Sequence, residues 1–412
     1  MHDHRTLVVI GGGAAGFFCA VNAARLNPSL HVIILEKSGK LLSKVKISGG
    51  GRCNVTHACF DIREMSQRYP RGQHFVKKAF HCFFTTDTIQ WFADRNVELK
   101  TEPDGRMFPV SDSSATIIGC LLQEADRYGV DVRLHAEVKG VRQTGTGFLL
   151  ELTGQPDMPA DFICVASGGY PRAGMFDWLR TTGHTIIEPV PSLFTFNLPG
   201  HPLSALMGIS LGRVRIKITG TKLEQEGPLL ITHWGFSGPA ILTLSARAAR
   251  ELAEKQYVFG IQINWIPGTT EAELRSEFMQ QRSSRASQKI AGKNVFGLPA
   301  RLWEFLALQS GVKPDMRWAD APALVINKLI RSLISMEIPV RGKTTFKEEF
   351  VTAGGIQLSE VDPRTMMSKK VPGLFFAGEV LDVDGITGGY NFQHAWTSGW
   401  IAAYQIASSL DG

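Results

Sequence analysis

The chain has 412 residues, 44% of them hydrophobic and 20% charged, a balance that excludes a disordered or fibrous protein and predicts two or three domains. Lys and Arg outnumber Asp and Glu by 44 to 38, a formal +6, which permits an acidic partner without demanding one. No run reaches the ~18 apolar residues of a membrane helix, and no signal peptide opens the sequence, so a cytoplasmic protein with no membrane association is expected. The six cysteines (Cys19, Cys53, Cys59, Cys82, Cys120, Cys164) include no CxxC pair and no zinc-type spacing, which predicts reduced thiols and no metal.

The first predicted element is the β-branched run TLVVI, Thr6 to Ile10. It ends in Gly11, Gly13 and Gly16, spaced GxGxxG, and a helix is expected from Phe17 to Leu26. A second strand, HVIIL, spans His31 to Leu35 and stops at Glu36. Strand, glycine turn, helix, strand and acid form the dinucleotide fingerprint. Gly11 permits the tight turn, Gly13 lets a pyrophosphate approach the backbone, and Gly16 lets helix and strand pack closely. Glu36 lies 20 residues past Gly16, the distance for gripping ribose hydroxyls, which suits FAD or NAD better than NADP.

Residues 47–54, ISGGGRCN, put three consecutive glycines before Arg52 and Asn54. Such a backbone can lie close to something flat or charged, and Arg52 offers a fork for phosphate or a carbonyl-rich ring edge. The apolar strand in 161–169, DFICVASGG, returns the chain to the nucleotide sheet. A strand at Leu374–Ala377 leads through Gly378 and Glu379 into a loop holding Gly385, Gly388 and Gly389, then a final helix. The start of that helix supplies free N–H groups, and reduced flavin needs such stabilisation of negative charge at its pyrimidine end.

The segments GGGAAG, ISGGGRCNVT, DGRMFPVSDSSA (104–115), THWGFSGPAIL (232–242), TAGGIQL (352–358) and GLFFAGEVLDVDGITGGYNFQHAWTSG (373–399) carry a resemblance. The chain resembles, almost end to end, the aminoacetone oxidase-like or bile-acid enone reductase-like flavoproteins, a family that includes ribosomal-RNA dihydrouridine synthases. The resemblance implies an α/β fold: a glutathione-reductase-type, Rossmann-like FAD-binding domain with inserted β-rich and helical subdomains. It implies that the loop Gly11 to Gly16, including Ala14 and Ala15, holds the ADP half together with Glu36. Lys44 and Ser48 through Gly50, Gly51, Arg52, Cys53 and Asn54 would run along the pyrophosphate and flavin. Ala166, Ser167 and Gly168 would close the adenosine side. Gly378, Glu379 and Asp384 would meet ribityl hydroxyls or phosphate, and Gly389, Tyr390 and Asn391 would lie against the isoalloxazine. Lys37 and Val138 join the expected cofactor contacts. His57 stands where members often carry Asn, which leaves the last polar contact of that loop open.

No nucleotide motif appears between about 188 and 346. The expected division is therefore a discontinuous FAD-binding domain, 1–187 plus 347–412. A β-rich insert of 188–266 plus 336–346 and a helical insert of 267–335 complete it. Arg213 to Ile218 and Val258 to Trp265 alternate as strands do. EAELRSEFMQQ and RLWEFLALQSG have helical spacing, with Pro267, Pro299, Pro314 and Pro322 as breaks. Residues 188–346 carry 19 basic and 12 acidic side chains, so the charge excess sits there. Arg275, Arg282, Arg285, Lys289, Lys293 and Arg301 cluster in the helical part, as a solvated helix face or a nucleic-acid footprint.

No second GxGxxG follows a strand, so NAD(P)H would serve as a transient co-substrate. The family's acceptors, a steroid enone and the uracil ring, share a C=C conjugated to a carbonyl. Their reduction needs an acid and a donor for the developing enolate. His233, in a glycine-rich loop, and Cys53, beside Arg52 and so partly thiolate or an acid, are the catalytic candidates. Tyr390 is expected to pack on the flavin ring, and His394 follows it in the final helix. The leading expectation is reduction of a conjugated C=C, with uridine in ribosomal RNA as substrate. A flavin oxidase of a small amine such as aminoacetone, or a non-catalytic flavin-loaded protein, are the alternatives; the oligomeric state is left open.

Overall fold

The computed structural model describes residues 5–145, 147–292, 296–345 and 351–409. They form two compact units, one from Met1–Ser192 with Phe346–Gly412 and one from Leu193–Thr345.

The first unit is built on a five-stranded parallel sheet. Its central strand is β1, Thr6–Ile10, flanked on one side by β2, His31–Leu35, and then Asp131–Arg133. On the other side lie Phe162–Val165 and then Leu374–Phe376. β1 pairs with β2 from Thr6↔His31 to Ile10↔Leu35, and with the other neighbour from Leu7↔Phe162 to Ile10↔Val165. Val, Ile and Leu fill these strands because the sheet is covered on both faces, and Leu7, Val8 and Val9 are fully buried. The helix α1, Ala14–Leu26, links β1 to β2. Chain order reverses between β1 and Phe162–Val165, the place in such a sheet where ligands bind beyond the strand ends.

A 19-residue helix, Tyr390–Ser408, packs on α1. Glycine sets the approach: a Cβ on Gly399 would meet the Ala15 carbonyl oxygen at 2.7 Å and the Cys19 nitrogen at 3.2 Å. A Cβ on Gly378 would lie 2.8 Å from Ala15 Cβ. The second helix is thereby seated against the first turn of α1.

Sequence reading misses the short third strand Asp131–Arg133 and the antiparallel meander Val138–Gln143, Phe148–Leu152 and Met158–Ala160. Residues 188–192, assigned from sequence to the β-rich insert, belong to the first unit. They end the strand Ile186–Ser192, which pairs antiparallel with Val351–Ile356 where the chain returns.

The second unit carries a seven-stranded antiparallel sheet. Its order is Met336–Arg341, Val258–Asn264, Ser210–Ile218, Glu224–Ile231, Gly235–Ser237, Thr195–Asn197 and Lys343–Thr344. The two helices read from spacing are Glu271–Ser284 and Ala300–Gln309, and a third, Ala323–Ile334, completes the helical segment. Thr270 starts the first with a capping box, its hydroxyl accepting from Glu273 N and Glu273 accepting from Thr270 N. Pro299 and Pro322 immediately precede the other two. The β-rich and helical segments are one unit, not two inserts. Leu274, Phe278, Leu302, Trp303 and Leu333 share a core with Val214, Ile216 and Ile263, because each amphipathic helix needs the sheet's apolar face.

Gly399→Ala should destabilise the first unit by about 1–3 kcal/mol, since the obstructing atoms are backbone. A thermal melt followed by far-UV circular dichroism checks this; an unchanged midpoint would contradict the glycine-set approach.

Candidate functional site

The glycine loop after β1 has each glycine where only glycine fits or where space is open. Gly11 has φ +116°, and a Cβ there would strike the Ala166 carbonyl oxygen at 2.4 Å. The loop from the end of β1 thus crosses directly over the Ala166–Gly168 turn. A Cβ on Gly16 would lie 1.9 Å from the Gly11 carbonyl oxygen. Gly13, by contrast, has nothing within 4 Å of its Cβ position. It is the N-cap of α1, in extended geometry, with no side-chain cap and no acid in the first turn. The first-turn N–H groups therefore present a positive helix end to open space, the arrangement that binds phosphate.

Glu36 sits over this loop. One carboxylate oxygen accepts from Gly12 N at 2.9 Å; the other accepts from Ser38 N and Ser38 Oγ, both at 2.8 Å. Three of roughly four acceptor directions are used, leaving capacity for one hydroxyl. Lys37 places its ammonium 5.4 Å from the Tyr170 ring centroid. Val138, half-buried, opens the strand facing Leu152.

The second loop interrupts the helix Ser43–Gly51. Ser48 turns extended, and Gly49, Gly50 and Gly51 have φ of +59°, +71° and +86°. A Cβ on Gly49 would meet Phe108 at 2.6 Å, while Gly50 and Gly51 face open space. The Cys53 N–H donates to the Ser48 carbonyl at 3.0 Å and closes the turn. Arg52 is not a free fork. Its guanidinium lies 4.0 Å from the Phe108 ring centroid, and Nη1 meets Glu102 at 2.6 Å, a carboxylate shared with Arg106. Lys44 meets Glu379 at 2.6 Å, and Glu379 also accepts from Thr352 N at 2.9 Å.

Cys53 does not fit the thiolate reading. It is fully buried, and burial pushes its thiol up to about 12. The neighbouring arginine directs its charge to Phe108 and Glu102, and the Ser48 side chain opposes the desolvation without overcoming it.

The third loop precedes the long helix. Gly389 is its N-cap with φ +92°, again with no side-chain cap on the first turn and no acid in it. A Cβ there would strike the Thr56 carbonyl oxygen at 2.5 Å. With its amide oriented to satisfy both ends, Asn54 accepts from Gly389 N at 3.0 Å and donates to Thr56 O at 3.0 Å. His57 supplies the contact left open by the sequence: Nδ1 donates to the Gly388 carbonyl at 3.0 Å. Burial lowers the His57 pKa, with the Gly388 hydrogen bond opposing it, so the neutral ring is favoured. The second and third loops are thus joined through Asn54 and His57.

Three expected ligand contacts are spent on the protein itself. Asp384 is fully buried, with both oxygens on Arg71 and one accepting from Ser192 Oγ at 2.7 Å. Burial lifts its carboxyl above the ordinary range despite the pull of Arg71. The Asn391 amide makes a reciprocal pair with Gly385 N and O, at 2.8 and 3.0 Å. One face of the Tyr390 ring stacks on His57 at 4.8 Å, and burial moves its hydroxyl up to about 12. Sequence reading also missed Arg71 and Tyr69, whose hydroxyl donates to the Tyr390 carbonyl at 2.6 Å. Arg71 lies 313 positions from Asp384, so no local spacing could pair them. His394 is buried and neutral, its pKa lowered to about 4.

The structure brings together the loops at 11–16, 36–38, 48–57, 166–168 and 378–391. His233 is on the second unit, exposed at the turn between Glu224–Ile231 and Gly235–Ser237, its ring edge-on to Trp234 at 4.3 Å. Of the basic residues, Arg275 is held by Glu271 and Asn327, Arg282 by the Ala319 carbonyl and Arg301 by the Ala205 carbonyl. Lys293 lies outside the described residues.

The profile of the HI0933-like protein Rossmann domain matches residues 5–405. The chain belongs to this FAD-dependent Rossmann family. It is 30% identical over 411 residues to the ribosomal RNA dihydrouridine synthase of Escherichia coli K12, covering 98% of each chain. It is 27% identical over 408 residues to a 3-dehydro-bile acid delta(4,6)-reductase of Clostridium scindens, covering 97% of this chain and 98% of that protein. Among solved structures it is similar to a 3-ketosteroid-delta4-(5alpha)-dehydrogenase from Rhodococcus jostii RHA1. That likeness has a TM-score of 0.51 at 13% identity, covers 97% of each chain, and speaks to fold alone. Family membership accords with the uncapped helix starts at Gly13 and Gly389 and with the open glycines, which fit the phosphates and flavin of FAD. No helix among the described residues is long and apolar enough to cross a membrane.

Thiol titration at pH 8 should modify Cys82, the exposed cysteine, well before Cys53. Alkylation of Cys53 in the folded protein would contradict its burial.

Proposed function

We propose that this member of the flavin oxidoreductase family reduces a C=C bond conjugated to a carbonyl, with uridine in ribosomal RNA as substrate and NAD(P)H as reductant. The observation that carries the reading is the uncapped helix start at Gly389–Tyr390. It is joined by Asn54 to the glycine loop at 48–54. The N–H groups there stabilise negative charge at a fixed point, the requirement of a reduced flavin's pyrimidine end.

The α1 N–H groups take the pyrophosphate, and Glu36 accepts from an adenosine ribose hydroxyl. Ala166–Gly168 flank the adenosine side, and Lys37 and Val138 lie toward it. Lys44, Ser48, Gly50, Gly51 and Glu379 line the path from phosphate to ring. When bound, FAD supplies a hydride to the carbon β to the substrate's carbonyl. The α-carbon then needs a proton. With Cys53 buried and protonated, His233 remains the candidate donor, on the chemistry of its imidazole.

Both relatives bear names for reactions that saturate a conjugated C=C, dihydrouridine formation and enone reduction. RNA is favoured over a steroid because the second unit, Leu193–Thr345, carries 19 basic and 11 acidic side chains.

Anaerobic NADPH or NADH should bleach the flavin band, and uridine-containing ribosomal RNA should restore it with dihydrouridine as product. Recovery by oxygen alone, with peroxide released, would overturn the reductase reading in favour of an amine oxidase. His233→Ala should cut kcat by about 100-fold or more with FAD content unchanged; an unchanged kcat would remove His233 from the reaction.

A further inference from the structure

The first unit carries a cationic face that flavin binding does not use. Between Glu64 and Asp87 the chain has no acid, while Arg68, Arg71, His74, Lys77, Lys78 and His81 fall within that stretch. A short helix, Gln73–Ala79, lies at its centre. Its apolar residues turn inward: Phe75, Val76 and Ala79 are buried, as is Phe80 in the turn that follows. His74, Lys77, Lys78 and His81 are exposed, at the i, i+3, i+4 and i+7 spacing of one helix face.

The cations of this stretch divide into two sets. Arg68 is paired with Glu64, and Arg71 with Asp384. Lys77 and Lys78 have no carboxylate within ion-pairing distance among the described residues. At the far end Arg364 and Asp362 both act on Cys82, and their charges offset each other.

The face belongs to the same unit as the flavin-binding loops. A Cβ on Gly72, the residue before the helix, would strike Val383 at 2.6 Å. The Phe80 ring lies 5.7 Å from that of Tyr69, whose hydroxyl donates to the Tyr390 carbonyl. The inner side of the helix thus braces the segment from Val383 to Tyr390. Its outer side presents two uncompensated ammonium groups to solvent.

We propose that this face docks the phosphate backbone of the RNA substrate, which rests on the RNA reading of the function. The two lysines meet phosphates as point charges, and the imidazoles of His74 and His81 can donate to phosphate oxygens. A steroid or a small amine has no run of phosphates to place there. Contacts of this kind supply affinity and register without reading sequence, so the choice of base stays with the flavin site.

Anisotropy with a labelled, uridine-containing ribosomal RNA fragment tests this on the FAD-loaded protein across a series of salt concentrations. Lys77→Gln combined with Lys78→Gln should weaken binding about tenfold and lower the slope of log affinity against log salt by about one to two. FAD content and NAD(P)H-driven bleaching should stay unchanged. Lys222→Gln combined with Lys313→Gln, at exposed lysines of the second unit, makes the same change in net charge and should shift both quantities much less. Wild-type affinity and slope in the first pair, or equal losses in the two pairs, overturns this face as the docking site and leaves the RNA reading standing. So does loss of binding to phosphatidylserine vesicles in the first pair with RNA binding intact, which would make the face a membrane-surface patch. A wild-type protein that binds no RNA overturns both.

Discussion

In the first unit the helix starts at Gly13 and at Gly389 have no side-chain cap, and both lie beside loops glycine alone can form. An uncapped helix start leaves backbone donors to be satisfied from outside the helix. At the starts beside the glycine loops, an anionic ligand with two separated demands, phosphate and reduced ring, would supply those partners. Much of the surrounding structure serves to hold these two starts. Gly399 and Gly378 let the long helix settle on the first turn of α1, and Ser398 ties it down by accepting from Gly378 N at 2.8 Å.

Around this pair the protein spends its own polar groups on rigidity. Arg71, Asp384 and Ser192 form one buried network, and Tyr69 holds the carbonyl of Tyr390. Removing Arg71 would leave the Asp384 carboxylate buried and uncompensated, so this pair holds the loop. The side chains that remain available toward the loops, Glu36 and Lys44 with Glu379, are partly solvated. The division is between a backbone fixed by buried contacts and partly solvated charges at its margin.

The sequence made the dinucleotide crossover legible because glycine spacing and β-branched runs are local signals. The strand, Gly11–Gly16, helix and Glu36 all stand within one crossover as read, except that the helix begins at Ala14, three residues before the expected Phe17, so that Gly16 lies within its first turn. The same holds for the helices at Glu271–Ser284 and Ala300–Gln309, whose capping box and preceding proline are written in a few residues. What stayed hidden depends on partners distant in the chain. Asp384 looked like a ligand contact because Arg71 could not be placed beside it. Cys53 looked activated because adjacency to Arg52 was visible, whereas its burial and the turning of Arg52 onto Phe108 were not. Two inserts were inferred where one core exists, because helical and strand periodicities say nothing of which apolar faces meet.

Gly13→Asp separates the helix start's role in stability from its role in binding. The position is extended, has open space for a side chain, and lacks a cap, so aspartate should cap α1 and leave the apoprotein as stable as before. The same carboxylate occupies the phosphate's place and repels it. Calorimetric titration with FAD should show affinity lowered by more than ~tenfold at an unchanged apoprotein melting temperature. Undiminished FAD binding by this variant would contradict the claim that the uncapped start of α1 is the pyrophosphate site.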